Sequence, residues 1–217
     1  MTTVYFVRHG ATEFNRTERF QGATDVPLDD FGQAQAGYLG ERFRDVPLNA
    51  VYASPLIRAR QTAQGVCKFH PELTPIADSG LCEIHCGVLE GRFVSEPRAE
   101  YPDVMDIFQH RPAAFAPPGG ETAYQVHIRM GAAIRRIVES NPGKTLAVVS
   151  HGFALLTYLG ALDRPFDELR PMLFGNAAVA CVEYDDFDHF RVRFVDDQSH
   201  LPPEARFHSK LFPKKDA

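Results

Sequence analysis

Apolar residues in this chain fall into runs of two kinds. Val4-Tyr5-Phe6-Val7 and Leu146-Ala147-Val148-Val149 are short and continuous, the pattern of strands buried on both faces of a parallel sheet. Asn49 to Ala53 is a weaker segment of the same sort. Phe31, Ala34, Tyr38, Leu39 and Phe43 recur on one helical face, with Asp29 or Asp30 placed to cap it. Val126, Met130, Ala133, Ile134, Ile137 and Val138 form a second helical stripe, which the breaker Asn141-Pro142-Gly143 ends. Val179 to Tyr184 and Phe190 to Val195 read as strands joined by the polar turn Asp185 to His189. In the second of these, Phe190, Val192 and Phe194 alternate with Arg191 and Arg193, so one face is wet. The alternation of strands and helices predicts a three-layer α/β/α fold, with a mostly parallel sheet carrying an antiparallel edge strand. That edge could pair with a second copy to give a homodimer.

The 217 residues suit one domain spanning 1–217, with no internal repeat or low-complexity tract. Residues 91–120 differ in texture, with Phe93, Tyr101, Phe108 and Phe115 set among five prolines. They read either as a cap-like insertion over a site or as a surface excursion of short helices. Residues 202–217 read as an extended C-terminal tail ending near Lys214-Lys215.

Composition narrows the partners. Hydrophobic residues make up 44% and charged residues 24%, which excludes a disordered or fibrous chain. A net charge of −5 argues against nucleic acid and anionic membrane surfaces, while leaving room for a small basic pocket. Leu146 to Leu162 is interrupted by Ser150, His151, Gly152, Thr157 and Gly160, so it reads as strand then helix rather than a membrane span. Met1-Thr2-Thr3 runs straight into the first strand with no export signal, so the expectation is a cytoplasmic protein with free thiols at Cys67, Cys82, Cys86 and Cys181.

Chemistry concentrates at strand ends. The first strand runs into Arg8-His9-Gly10-Ala11-Thr12-Glu13-Phe14-Asn15. Open α/β sheets bind ligands at this place. Gly10 allows a tight turn of the backbone, and Arg8 offers a planar fork that matches phosphate oxygens. Alone, the triplet reads more readily as a capped histidine at a strand end than as a site. The later strand, however, ends in Ser150-His151-Gly152-Phe153, where a helix begins. Adjacent parallel strands would bring both imidazoles to one rim, beside helix N-termini that favour anions. Between them, Ala53-Ser54-Pro55-Leu56-Ile57-Arg58 is a third strand end, with Arg58 in the first helical turn. Two arginines and two histidines converging in this way make a phosphate site.

These blocks resemble the histidine phosphatase superfamily, the phosphoglycerate mutase-like proteins. The resemblance is carried by Arg8-His9-Gly10 with Thr12 and Asn15, by Phe20-Gln21-Gly22, and by Gly32 with Gln35-Ala36. It continues through Ser54-Pro55-Leu56 with Arg58 and Thr62-Ala63, Leu81 with Glu83, Gly87 and Glu90-Gly91. Gly119-Gly120-Glu121-Thr122, Ser150-His151-Gly152 and Asn176-Ala177 complete it, all in the family's order. The resemblance implies His9 as nucleophile through a phosphohistidine and Glu83 as proton donor. It implies Arg8, Arg58 and His151 around the transferred phosphoryl oxygens, with His151 best as imidazolium. Asn15, Gln21, Gly152 and Phe153 are expected to contact the substrate, a small-molecule phosphomonoester. No metal and no cofactor is expected.

Rival chemistries are weaker. Cys82, His85 and Cys86 lack a second nearby pair for zinc, and buried thiols are the plainer reading. No Gly-x-Ser-x-Gly nucleophile elbow and no P-loop occurs. The stretch Leu81 to Gly87 is shorter than in the cofactor-dependent mutases and lacks their Glu-Arg-His-Tyr-Gly-like block, which favours hydrolysis over isomerisation. A non-catalytic binding protein of the same fold is the remaining alternative, and intact His9, Arg58 and His151 speak against it. His85 is expected near the pocket, and Arg92 and Arg98 are candidates to read a second anionic group or to sit on the surface.

Overall fold

Strand β1 (Thr2–Arg8) lies in the middle of a six-stranded sheet in a computed structural model that describes residues 1–172 and 174–207. Helix α1 (Glu13–Arg16) is a single turn, and α2 (Asp30–Phe43) follows, capped by the Asp29 carboxylate accepting from Gly32 N–H. Next come β2 (Ala50–Ala53), α3 (Ile57–Val66) and the short β3 (Ile76–Ala77). Residues 91–120 hold α4 (Pro97–Glu100) and α5 (Pro102–His110), each opening with proline. Helix α6 (Ala123–Glu139) carries a Thr122–Gln125 capping box. After it come β4 (Thr145–Ser150), α7 (Gly152–Leu159), β5 (Val179–Tyr184) and β6 (Phe190–Asp197).

The strand order is β3-β2-β4-β1-β5-β6. β1 pairs in parallel with β4, and β4 with β2, while β5 and β6 run antiparallel. The antiparallel edge expected from the sequence is formed by β5, which pairs beside β1, and by the hairpin partner β6.

Side chains of β1 alternate between two buried layers. Val4 and Phe6 join the core beneath α6 and α7, and Val7 joins the core beneath α2 and α3. Burial on both faces is what makes β1 and β4 continuous apolar runs. Residues 91–120 are stitched to the body. Phe20 N–H donates to Arg92 O (3.0 Å) and Val94 N–H to Glu18 O (2.8 Å). Phe108 packs its ring 5.3 Å from Phe20 and 5.0 Å from Phe115.

The C-terminal expectation needs correction. Residues 202–207 do not extend away, since Leu201 and Ala205 are buried against the α2 and α3 layer and Gln35 donates to Ala205 O (2.8 Å). The rest of the expected tail lies outside the described residues. Among the described residues no helix is long and apolar enough to cross a membrane.

Candidate active site

The parallel register sets Arg8 opposite Ser150, so the next residues, His9 and His151, leave their strands side by side. Their ring centroids are 5.1 Å apart. His9 N–H donates to Ser150 O (3.0 Å). Its ring Nδ1 lies 2.6 Å from Gly10 O. A carbonyl can only accept, so Nδ1 carries the proton and Nε2 keeps its lone pair.

The turn after His9 is fixed from several sides. Gly10 N–H donates to Thr62 Oγ1 (3.0 Å), whose hydroxyl donates to Arg58 O (2.7 Å). Ala11 N–H donates to Gln35 Oε1 (2.8 Å). Asn176 donates to both His9 O (3.1 Å) and Asn15 Oδ1 (3.2 Å). Gly10 has no room for a side chain, because a Cβ would stand 2.7 Å from Gly32 O.

Arg58 is fully buried. Its guanidinium donates to Thr24 O and Gly22 O, each at 2.8 Å, and Gly22 needs its positive φ of 52° to present that carbonyl. Asp25 caps the start of α3 by accepting from Ile57 N–H (2.6 Å). Arg8 donates to Phe174 O. A Cβ on Gly152 would stand 3.2 Å from Arg8 Cζ, so the missing side chain there makes room for the guanidinium.

Burial, then the charges of Arg58 and Arg8, push His9 well below its ordinary value. Burial and the same cations, with His9 and Arg129, do likewise to His151. Both shifts favour the neutral ring in the ligand-free site. The expected imidazolium at His151 belongs to the phosphate-bound site, where an anion would oppose burial and the neighbouring guanidinium groups. Burial also draws Arg8 down to about 10. Nε of Arg8, Nε of Arg58 and both ring nitrogens of His151 are buried without a partner. Buried donors that lack acceptors are costly, and an anion would satisfy them together.

Glu83 lines the same pocket as Arg8, His9 and Arg58. Its carboxylate accepts from Ile84 N–H (2.9 Å), Ala154 N–H (2.9 Å) and Phe153 N–H (3.1 Å), so it seats on the N-terminus of α7. The N–H of Phe153 is thereby used, and its ring is what lines the pocket.

Arg8, His9, Asn15, Gln21, Arg58, Glu83, Gly152 and Phe153 all line one pocket, and His151 lies buried directly beneath it against His9. Away from the histidines the wall turns apolar, with Phe20, Ile84, Val94, Phe108, Leu156 and Met172. Of the four aromatic residues expected from 91–120, Phe108 alone reaches the pocket. Phe115 is core, and Phe93 is stacked under Arg19 with Cζ 3.9 Å from its centroid. His85 is half exposed beside Glu90 and does not line the pocket. Arg92 is paired with Glu100 (2.8 Å) at the surface. All four cysteines are free, and no cluster suited to a metal ion occurs among the described residues.

Sequence reasoning missed Arg19, which lines the pocket, and Arg129, whose side chain holds the chain around Glu83. Arg129 had a legible signal, since it falls three residues after Val126 and next to Met130, on the edge of a buried helical stripe.

Residues 4–198 match the sequence model of the histidine phosphatase superfamily, branch 1. An uncharacterized phosphatase of Bacillus subtilis, PhoE, is 29% identical over 202 residues, covering 93% of this chain and 97% of its own. A probable phosphoglycerate mutase of Klebsiella pneumoniae, GpmB, is 31% identical over 210 residues, covering 94% and 97%. Among solved structures, YhfR of Bacillus stearothermophilus superposes with a TM-score of 0.85 at 37% identity, covering 92% of this chain and 99% of its own.

Proposed function

From the chain's membership of the histidine phosphatase superfamily, we propose that it hydrolyses small-molecule phosphomonoesters through a phosphohistidine on His9, with Glu83 as proton donor. The observation that carries this reading is the bond from His9 Nδ1 to Gly10 O, which leaves Nε2 unprotonated beside the buried Arg58 and partly buried Arg8 guanidinium groups. Nε2 attacks phosphorus, and the bond to the leaving oxygen breaks as that oxygen takes a proton from Glu83. Water then attacks the phosphohistidine, gives its proton to Glu83 and releases His9.

Arg8, Arg58 and His151 surround the peripheral oxygens, with Asn15 and Gly152 N–H as neutral donors. A dianion entering the site draws a proton onto His151 by opposing the cations that keep it neutral. Positive charge is supplied by side chains, so turnover needs no metal. The apolar wall around Phe108 and Leu156 favours an apolar or ring-bearing leaving group.

The second reading is a phosphoglycerate mutase, which the name of the Klebsiella relative favours. A phosphoglycerate carboxylate would need a cation beyond the phosphate end. Arg19 is the pocket's candidate, and it is already engaged with Gly91 O (3.2 Å) and Phe93. The deciding assay is phosphate release from a panel of monoesters in EDTA, comparing wild type with His9→Ala. Isomerisation of 3-phosphoglycerate is followed in parallel, with and without 2,3-bisphosphoglycerate. Release that vanishes in the variant supports hydrolysis through His9. Isomerisation with little release replaces it with the mutase.

A further inference from the structure

Glu83 sits in a stretch with little regular structure of its own, a single turn at Ser79–Leu81 followed by irregular chain. An acid must nevertheless be held to within a fraction of an ångström of the oxygen it protonates. The Glu83 carboxylate is tethered to α7, as described, but that does not locate the main chain that carries it.

Arg129 of α6 does. All five of its N–H donors are used. Nη1 donates to Gly80 O (3.1 Å) and Cys82 O (2.7 Å), and Nη2 donates to Glu83 O (2.9 Å). The remaining two, on Nε and Nη2, form a fork with Glu121, both at 2.8 Å. Glu121 grips the far side of the acid. Its Oε2 accepts from His85 N–H (3.0 Å), and its own N–H donates to His85 O (2.8 Å). The chain is therefore pinned at 80, 82 and 83 by one partner and at 85 by the other. Close approach of α6 makes this reach possible, since a Cβ on Gly80 would stand 2.7 Å from the Ala133 methyl. The ion pair is only partly buried, with side-chain exposures of 23% and 29%, so water screens it and it adds little to stability. Five directed bonds from one side chain, three of them to the main chain that carries the acid, indicate a geometric task.

We propose that Arg129, braced by Glu121, is the positioning residue for Glu83 and fixes the distance from its carboxyl to the leaving oxygen. The proposal rests on the reading of Glu83 as the proton donor. It makes Arg129 matter in proportion to how much protonation the leaving group needs.

The test uses the full-length chain as wild type, Glu83→Gln, Arg129→Gln, Arg129→Lys and the Arg129→Gln/Glu83→Gln double variant. For each, kcat/KM is measured on p-nitrophenyl phosphate, which needs little protonation, and on an alkyl phosphate, which needs much. The inhibition constant for inorganic phosphate and a thermal melt accompany every variant. Arg129→Gln is expected to lose about 100-fold more on the alkyl ester than on the aryl ester, with phosphate inhibition shifted far less than that. Arg129→Lys should recover part of that selective loss, and the double variant should be no more selective than Glu83→Gln alone. Equal losses on both esters, or independent losses in the double variant, overturn the proposal. If Glu83→Gln shows the selective loss and Arg129→Gln does not, the positioning role fails alone. If Glu83→Gln shows none, the acid reading falls and this proposal falls with it. Should Arg129→Gln fail to fold, Arg129→Lys and Glu121→Gln carry the same comparison.

Discussion

The imidazoles of His9 and His151 lie tilted to each other at 5.1 Å between centroids, and burial together with the Arg8 and Arg58 charges pushes both well below the ordinary histidine value. In the proposed mechanism the pair would divide two tasks that one histidine could not combine. His9 donates through Nδ1 to Gly10 O, which leaves the Nε2 electron pair free, as the proposed attack on phosphorus requires. His151 makes no hydrogen bond to protein through either ring nitrogen, so both stay available to an incoming oxygen or proton.

Acid should therefore destabilise the ligand-free protein. Both rings have folded-state values below the ordinary 6.5, so the unfolded chain binds protons that the folded chain refuses. Their contribution is fully present above that value and is lost as pH falls through the folded-state values. Thermal melts from about pH 7 to about pH 5 should show Tm falling, and His9→Asn and His151→Asn should each flatten the slope. His200, drawn down to about 4 by burial, adds to the same slope and persists in both variants. A Tm that holds or rises on acidification would contradict neutral buried rings.

Phosphate binding should reverse that preference at His151. Calorimetric titration with inorganic phosphate in two buffers of different ionisation enthalpy should show net proton uptake near neutral pH. His151→Asn should abolish the uptake, whereas persistence in that variant would assign the proton elsewhere.

Arg58→Lys should be far from conservative. The guanidinium spans two carbonyls, Gly22 O and Thr24 O, while offering Nε to the pocket. A lysine cannot keep that fork. The expected loss in kcat/KM is about 100-fold or more, as for removal of one preorganised donor. Retention of near wild-type rates would show that a point charge suffices.

Two glycines should separate folding from binding. On Gly32 a Cβ would stand 1.9 Å from Ala11 O, backbone that cannot yield, so Gly32→Ala should cost ~3 kcal/mol or more of stability. On Gly152 the obstacle is the Arg8 guanidinium at 3.2 Å, which can shift. Gly152→Ala should thus melt close to wild type yet bind phosphate roughly tenfold more weakly, as expected for about 1.4 kcal/mol lost at an anion contact. Denaturant melts and phosphate inhibition constants check both halves.

Trimming the apolar wall should alter substrate preference without touching the phosphate end. Phe108 lines the pocket and packs against Phe20, Phe115 and Phe153. Phe108→Leu should raise KM for aryl phosphates by about tenfold, the scale of a lost apolar contact, and leave inhibition by inorganic phosphate unchanged. An equal change in both would place the ring at the phosphate end.

The strands that carry His9 and His151 were legible because burial on both faces leaves a continuous apolar run, and their neighbouring glycines marked the rim. The Asp29 cap and the stripe on α6 were legible for the same local reasons. The folding back of Leu201 and Ala205 and the withdrawal of His85 were not, because each depends on what lies across space. His151 shows the limit most directly. Its charge is set by Arg8, Arg58, Arg129 and His9, all distant in sequence, and by burial that no local pattern encodes.

The place of β1 in the sheet has a consequence for how the molecule fails. β1 is paired along both edges, with β4 on one side and β5 on the other, while β3 and β6 close the sheet at its margins. Fraying begins at margins, where backbone amides exchange with solvent at little cost, whereas central strands open only with the whole domain. The strand that delivers Arg8 and His9 is thus insulated by one or more strands on either flank. Activity in denaturant should persist while marginal amides exchange freely, and it should vanish together with the slowest-exchanging protons of the centre.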